Sequence, residues 1–115
     1  MNNRRGDVVI LDYPFSDSSG TKVRPALIVQ TDHPHEYDCC VDHEESAAVT
    51  TDPTQLLIDI STPEGQQSGL HANSAVACGN LYTVHERHII KTIGLLPAVL
   101  LRQANACLKT ALDLP

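Results

Sequence analysis

Two groups of residues in this 115-residue chain carry the atoms for chemistry. The first is "HPHEYDCCVDH", where His33, His35, Cys39, Cys40 and His43 are all ligand types for Zn²⁺ or another transition metal. Adjacent cysteines rarely both hold one ion in structural sites, and the spacing matches neither a zinc finger nor a zinc ribbon. The segment therefore reads as a polar loop with incidental ligands, and no metal is expected. The second is Arg24 in "KVRPALIV", a guanidinium at the start of an apolar run. Its planar fork of donors stays charged at any working pH and suits an oxyanion. The plain alternative is a surface salt bridge with one of the chain's many carboxylates.

The elements that would position Arg24 can be read from residue pattern. Val8 to Tyr13 is β-branched and apolar enough for a strand, and "SDSSG" has the composition of a turn. Pro25 to Val29 is a second strand, almost unbroken in apolar character. Proline cannot donate in a central ladder, so Pro25 is expected at its first position, with Arg24 on the rim. "DHPHEYDCCVDHEES" is too polar for core and reads as a long loop. "AAVTT" and "TQLLIDIS" are short strands around an Asp52-Pro53 turn, "PEGQQSGLHAN" is loop, and "SAVACGNLYTV" and "HIIKTIGLL" are strands. Thr83 and Glu86 form a capping-box pattern for a helical turn between those two. From Pro97 to Leu114, Val99, Leu101, Leu108, Ala111 and Leu112 fall near helical spacing. Several strands followed by one helix predict an α+β arrangement, a small curled antiparallel sheet with a helix on it.

Composition narrows the class. The length suits one domain, and 42% apolar residues is ordinary for a globular core. No apolar run approaches a membrane span, and the run from Val8 stops at Asp12, so a cytoplasmic protein with no membrane partner is expected. Cys39, Cys40, Cys78 and Cys107 form no spaced framework and read as reduced thiols. The net charge of −6 taken alone opposes nucleic-acid binding, but it is unevenly spread. Residues 32–64 hold nine carboxylates from Asp32 to Glu64 with no Lys or Arg, while residues 1–24 sum to +1 and the remainder to +2.

The order "RGDVVILDYPFSDSSGTKVRPALIVQ", "AAVTT", "GNLYTV", "KTIGLLP" and the C-terminal "QANACLKTALDL" resembles the MazF/PemK family of toxin endoribonucleases. The likeness covers the first 31 residues and most of 69–114, and is thin between Asp32 and Ser68. It implies a single domain over residues 1–115, a small SH3-like antiparallel β-barrel with a C-terminal helix. It also implies a homodimer and metal-independent cleavage of single-stranded RNA with no cofactor, held in check by a cognate antitoxin. The family's catalytic arginine falls on Arg24 and its catalytic threonine on Thr50, with Thr51 the alternative if the alignment slips by one. Ser19, Thr21 and Lys22 lie in the loop that meets RNA in relatives, and Thr51 and Asn80 complete the expected contacts.

The chemistry asks for such residues independently. Attack by a ribose 2′-hydroxyl passes through a phosphorane whose oxygens gain charge, which fixed donors stabilise. Arginine is too basic to remove the 2′ proton, which leaves Asp32, His33 and His71 as bases. For Thr50 the plain reading is a β-branched strand residue, and for Ser19, Thr21 and Lys22 a solvated turn. Two family elements are altered. Ser19-Gly20-Thr21 stands where many relatives have Ser-Glu-Gln, and Ala77-Cys78-Gly79-Asn80 where some have Arg-Cys-Asp-Gln. A non-catalytic or CcdB-like protein-binding module on the same barrel is the alternative function. The acidic stretch from His33 to Glu45 is expected to stand off to one side of the RNA groove, since carboxylates beside Arg24 would repel a phosphate chain.

Overall fold

A computed structural model describes residues 3–13, 22–29, 36–43 and 53–115, with Tyr13, Lys22 and the stretch 36–43 described by backbone alone. The strands are β1 (Asp7–Tyr13), β2 (Lys22–Ile28), β3 (Glu36–His43), β4 (Gln55–Ile58), β5 (Ser74–His85) and β6 (Ile89–Leu95). The helices are α1 (Pro63–Gln66) and α2 (Ala98–Ala111), and a 3₁₀ turn, Glu86–His88, joins β5 to β6. The strands form one antiparallel sheet in the order β4-β5-β3-β2-β1-β6. The α+β class and the C-terminal helix are as expected. The barrel is not closed by a β4–β6 ladder. Instead the turn after α1 bridges the gap, with Leu95 N–H donating to the Gln67 carbonyl at 3.0 Å.

The "RRGD" start is a structural clamp. The Asp7 carboxylate accepts from Arg4 N–H at 2.9 Å and from the Asn3 amide at 3.2 Å, which closes a tight turn. Gly6 takes φ +95 in that turn, a left-handed conformation that disfavours a side chain. Its N–H donates to the Ile28 carbonyl at 2.8 Å, and its own carbonyl accepts from Leu96 N–H at 2.9 Å, tying β1 to both neighbours. Arg5 reaches the other way: Nε donates to the Val29 carbonyl at 2.8 Å, and a terminal nitrogen donates to Asn105 on α2.

Both faces of β1 and β2 are buried, so their alternating residues enter two core clusters. Val8 and Leu27 join Leu56, Ile58, Val76, Cys78, Leu96, Leu100 and Ala104 under α2. Val9, Leu11, Ala26 and Ile28 join Val84 and Ile89 on the other face. The helix meets the first cluster with Leu100 and Ala104, and with Cys107 and Leu108 partly buried against it. The apolar stripe is thus rotated from the one expected, and Val99 and Leu112 are exposed. Cys78 is a buried free thiol and Cys107 a half-buried one.

Other expectations need correction. The acidic stretch does not stand off as a loop, because Glu36–His43 is β3, paired with β2 on one side and β5 on the other. Backbone pairing on both sides forms a strand there despite the polar sequence. "PEGQ" is a helical turn: Pro63 sits at its first position, where no N–H is needed, and Thr62 Oγ1 accepts from Gly65 N–H at 3.0 Å. The 3₁₀ turn is capped by His85, whose Nδ1 accepts from Arg87 N–H at 3.1 Å, while Thr83 remains in β5. β2 begins at Lys22, so Pro25 is its fourth residue. "AAVTT" lies outside the described residues. No helix among the described residues is long and apolar enough to cross a membrane.

Gly94 permits the bridging turn to close on β6. A Cβ there would lie 2.3 Å from the backbone carbonyl carbon and oxygen of Ser68, whereas a Cβ on Gly79 meets nothing within 4 Å. Gly94→Ala is therefore expected to lower stability by about 2 kcal/mol, the scale of an overpacking defect. Gly79→Ala should stay within about 0.5 kcal/mol of the parent, as exposed substitutions do. Urea denaturation of the two variants checks the contrast, and equal midpoints would contradict the bridge.

Candidate active site

Arg24 owes its setting to the proline that follows it. Peptide groups along a strand point alternately to its two neighbours. Because the Ile28 carbonyl bonds Gly6 on the β1 side, residues 26 and 24 also face β1, and Pro25 faces β3. Pro25 has no N–H to give β3. The β2–β3 register accordingly covers only Ala26, Leu27 and Ile28, although β3 continues beside β5 as far as His43. The Lys22–Pro25 end of β2 keeps β1 as its ladder partner.

On that end Arg24 is half-buried and directly opposite Leu11, whose side chain is fully buried in the second core cluster. Cross-strand partners share a face, so Arg24 lies on the face of the sheet that carries that cluster. Among the described residues no hydrogen bond or ion pair holds its guanidinium. The surface salt bridge that residue type alone suggests is not formed among them.

The other expected residues are placed unevenly. Ser19, Thr21, Thr50 and Thr51 lie outside the described residues, as do Asp32 and His33. Lys22 opens β2, two residues before Arg24. Asn80 is exposed on β5, which β3 separates from β2. It sits where the β3–β5 register is broken, between the Cys40↔Leu81 and Asp42↔Val76 pairs. In the altered "ACGN" element, Ala77 and Cys78 are buried, and Gly79 and Asn80 are exposed. His71 is exposed in the segment after α1, which packs on Ile93 and Gly94 beside the Asp7–Val8 end of β1, away from Arg24. Cys39, Cys40 and His43 lie on β3, and among the described residues no three His, Cys, Asp or Glu gather as metal ligands.

Sequence reasoning expected a helical turn between β5 and β6 but named no site residue in it. It lies against β1, and His88 Nδ1 is 3.0 Å from the Asp12 carbonyl oxygen. Asp12 pairs with Val23, the residue before Arg24. Two histidines flanking Glu86-Arg87 were the available signal, but only the pairing of β6 with β1 brings them to this end of β1.

A family profile described as "PemK-like, MazF-like toxin of type II toxin-antitoxin system" matches residues 4–112. The chain belongs to this toxin family. No curated protein sequence matches it. Among solved structures, an endoribonuclease in complex with its cognate antitoxin from a Mycobacterial species is similar at TM-score 0.75 and 21% identity, covering 98% of this chain and 97% of that one. The Mycobacterium tuberculosis toxin MazF-mt6 has TM-score 0.70 and 22% identity, over 93% and 98% of the two chains. A MazE-MazF structure from Deinococcus radiodurans has TM-score 0.72 and 15% identity, over 98% of each. At these identities the likeness is one of fold, and it matches the α+β sheet and terminal helix.

The two arginines of this MazF-like fold should differ sharply in their effect on stability. Arg5→Ala removes charged donors to Val29 and Asn105 and should cost about 2 kcal/mol. Arg24→Ala removes a side chain with no such partner among the described residues, and its melting temperature should stay within about 2 °C of the parent. Thermal melts of both variants decide it, and a large loss at Arg24 would give that residue a structural role.

Proposed function

We propose that this member of the PemK-like, MazF-like toxins is an endoribonuclease cleaving single-stranded RNA by attack of a ribose 2′-hydroxyl on the adjacent phosphodiester. The observation that carries the reading is Arg24: a half-buried arginine with no hydrogen bond or ion pair among the described residues, on a strand end that Pro25 releases from β3. Family membership and the named endoribonuclease among similar structures support it.

In this reading the 2′ oxygen bonds to phosphorus as the bond to the 5′ oxygen breaks. The equatorial phosphorane oxygens gain charge, and Arg24 meets two of them with its fork. Thr50, or Thr51 one residue on, adds a neutral hydroxyl donor. Ser19, Thr21, Lys22 and Asn80 hold the RNA strand. The reaction needs no metal or cofactor. The protein acts as a homodimer in the cytoplasm and is inhibited by a cognate antitoxin, and the antitoxin complexes among the similar structures support the inhibition.

Arg24→Ala should abolish fragmentation of an unstructured RNA in a gel assay. Thr50→Ala should slow it by roughly 10- to 1,000-fold, the upper range being that of a lost oxyanion donor. Cleavage should persist in EDTA and leave 2′,3′-cyclic phosphate ends. A fully active Arg24→Ala variant contradicts the assignment, and strict dependence on added metal contradicts the mechanism.

A further inference from the structure

Four of the chain's eight Lys and Arg residues, Arg4, Arg5, Arg102 and Lys109, belong to the N-terminal turn and to α2. The fold brings them together at the end of β1 remote from Arg24. Gly6 of the turn donates to the Ile28 carbonyl, and Ile28 lies four residues beyond Arg24 on β2, about 13 Å at the rise of a strand. The same turn rests on α2. A Cβ on Gly6 would lie 3.5 Å from Leu101 Cδ2, and Arg5 donates to Asn105. Arg102, Asn105 and Lys109 follow one another at i, i+3 and i+7, so the two cations of the helix stand in one row with the residue that Arg5 holds.

This row is chemically unanswered. Arg4, Arg102 and Lys109 are exposed, and among the described residues their side chains have no hydrogen bond or ion pair. A chain with 14 carboxylates could neutralise a surface helix with acidic partners at i, i+4, yet α2 contains no Asp or Glu. Asp113 comes only after the C-cap Leu112, and Asp7 is buried in its own turn. Lys109 in the last turn complements the helix dipole, but Arg102 in mid-helix and Arg4 off the helix have no such role.

A row of unpaired cations fits a polyanion, and the substrate read above is one. We propose that Arg4, Arg102 and Lys109 form a second RNA-binding surface, which holds phosphates of the substrate strand beyond the nucleotides at Arg24. The inference rests on reading the chain as a ribonuclease. Contacts to phosphate carry no sequence information, so this surface adds affinity and register without choosing the cleavage motif. It also offsets the repulsion between RNA and a chain of net charge −6. Arg5 has a supporting part. Its Nε stays with the Val29 carbonyl while its terminal nitrogen holds Asn105, which fixes the row against the turn.

The test measures binding of 2′-O-methyl oligouridylates of about 4 and about 16 nucleotides, the span of single-strand site sizes, across a salt series. The variant carries Arg102→Gln and Lys109→Gln, exposed changes to a good helix former, and melting curves confirm its fold. Each phosphate contact adds about 0.7 to the slope of log affinity against log salt on a single strand. On the long RNA the variant should therefore lose about 1.4 of that slope and bind roughly 10- to 30-fold more weakly at about 0.1 M salt. On the short RNA, which cannot span to Arg24, the loss should be much smaller. Equal losses on both lengths would make the effect one of net charge and overturn the proposal. Long-RNA binding that matches the parent at every salt, with a parent that cleaves RNA, overturns the proposal and leaves the ribonuclease reading standing. A variant that keeps RNA binding but loses binding to a poly-glutamate peptide assigns the row to an acidic protein segment and also overturns it. A parent that cleaves no single-stranded RNA overturns the reading and the proposal together.

Discussion

One missing hydrogen-bond donor organises this molecule. Pro25 faces β3 without an N–H, so β2 and β3 part at Ala26, and the residues before it are left with β1 alone in their ladder. That separation would fray the sheet were β1 not tied elsewhere. The Gly6 turn bonds β1 to β2 and to the chain just past β6, and Arg5 ties the end of β2 to α2. These contacts hold the far end of the hairpin rigid, while the near end presents Arg24 over a buried Leu11. A charged group on a firm apolar base loses little conformational freedom when it meets a phosphate, which is what a preorganised electrostatic site requires.

The acidic segment looks different once β3 is in place. Glu36, Asp38 and Asp42 belong to a strand inside the sheet, one position from β2. Other carboxylates are absorbed in local structure. Asp7 closes the N-terminal turn, and Asp59 accepts from both the hydroxyl and the backbone N–H of Ser61 at 2.7 and 2.9 Å. The Ser61 hydroxyl bond, then its backbone bond, hold the Asp59 carboxyl below its ordinary range. Such carboxylates shape turns while keeping their charge.

Periodicity made much of the fold legible. β1, β4, β5, β6 and α2 lie where apolar alternation or helical spacing put them. β3 was misjudged because the alternation of Tyr37, Cys39 and Val41 is short and set among acidic residues, and what makes it a strand is pairing with neighbours remote in sequence. The stripe on α2 was misjudged because packing selects Leu100 and Ala104, an i, i+4 pair that a count of large apolar residues passes over. The half-buried place of Arg24 beside the parting of β2 from β3 follows from the proline after it, although Pro25 is the fourth residue of the strand and not the first as expected. The placement of His88 was not legible, since it depends on a contact with Asp12, 76 residues away.

The account stands or falls on Arg24 meeting a phosphate, and arginine side-chain NMR tests that directly. With ¹⁵N-labelled arginine, the Nε–Hε signals of Arg24 and Arg5 can be assigned by substitution and followed as a single-stranded 2′-O-methyl RNA, which cannot be cleaved, is added. The account predicts that the Arg24 signal shifts to saturation with the binding curve while Arg5, held by Val29 and Asn105, stays in place. An Arg24 signal unmoved at saturating RNA would contradict it.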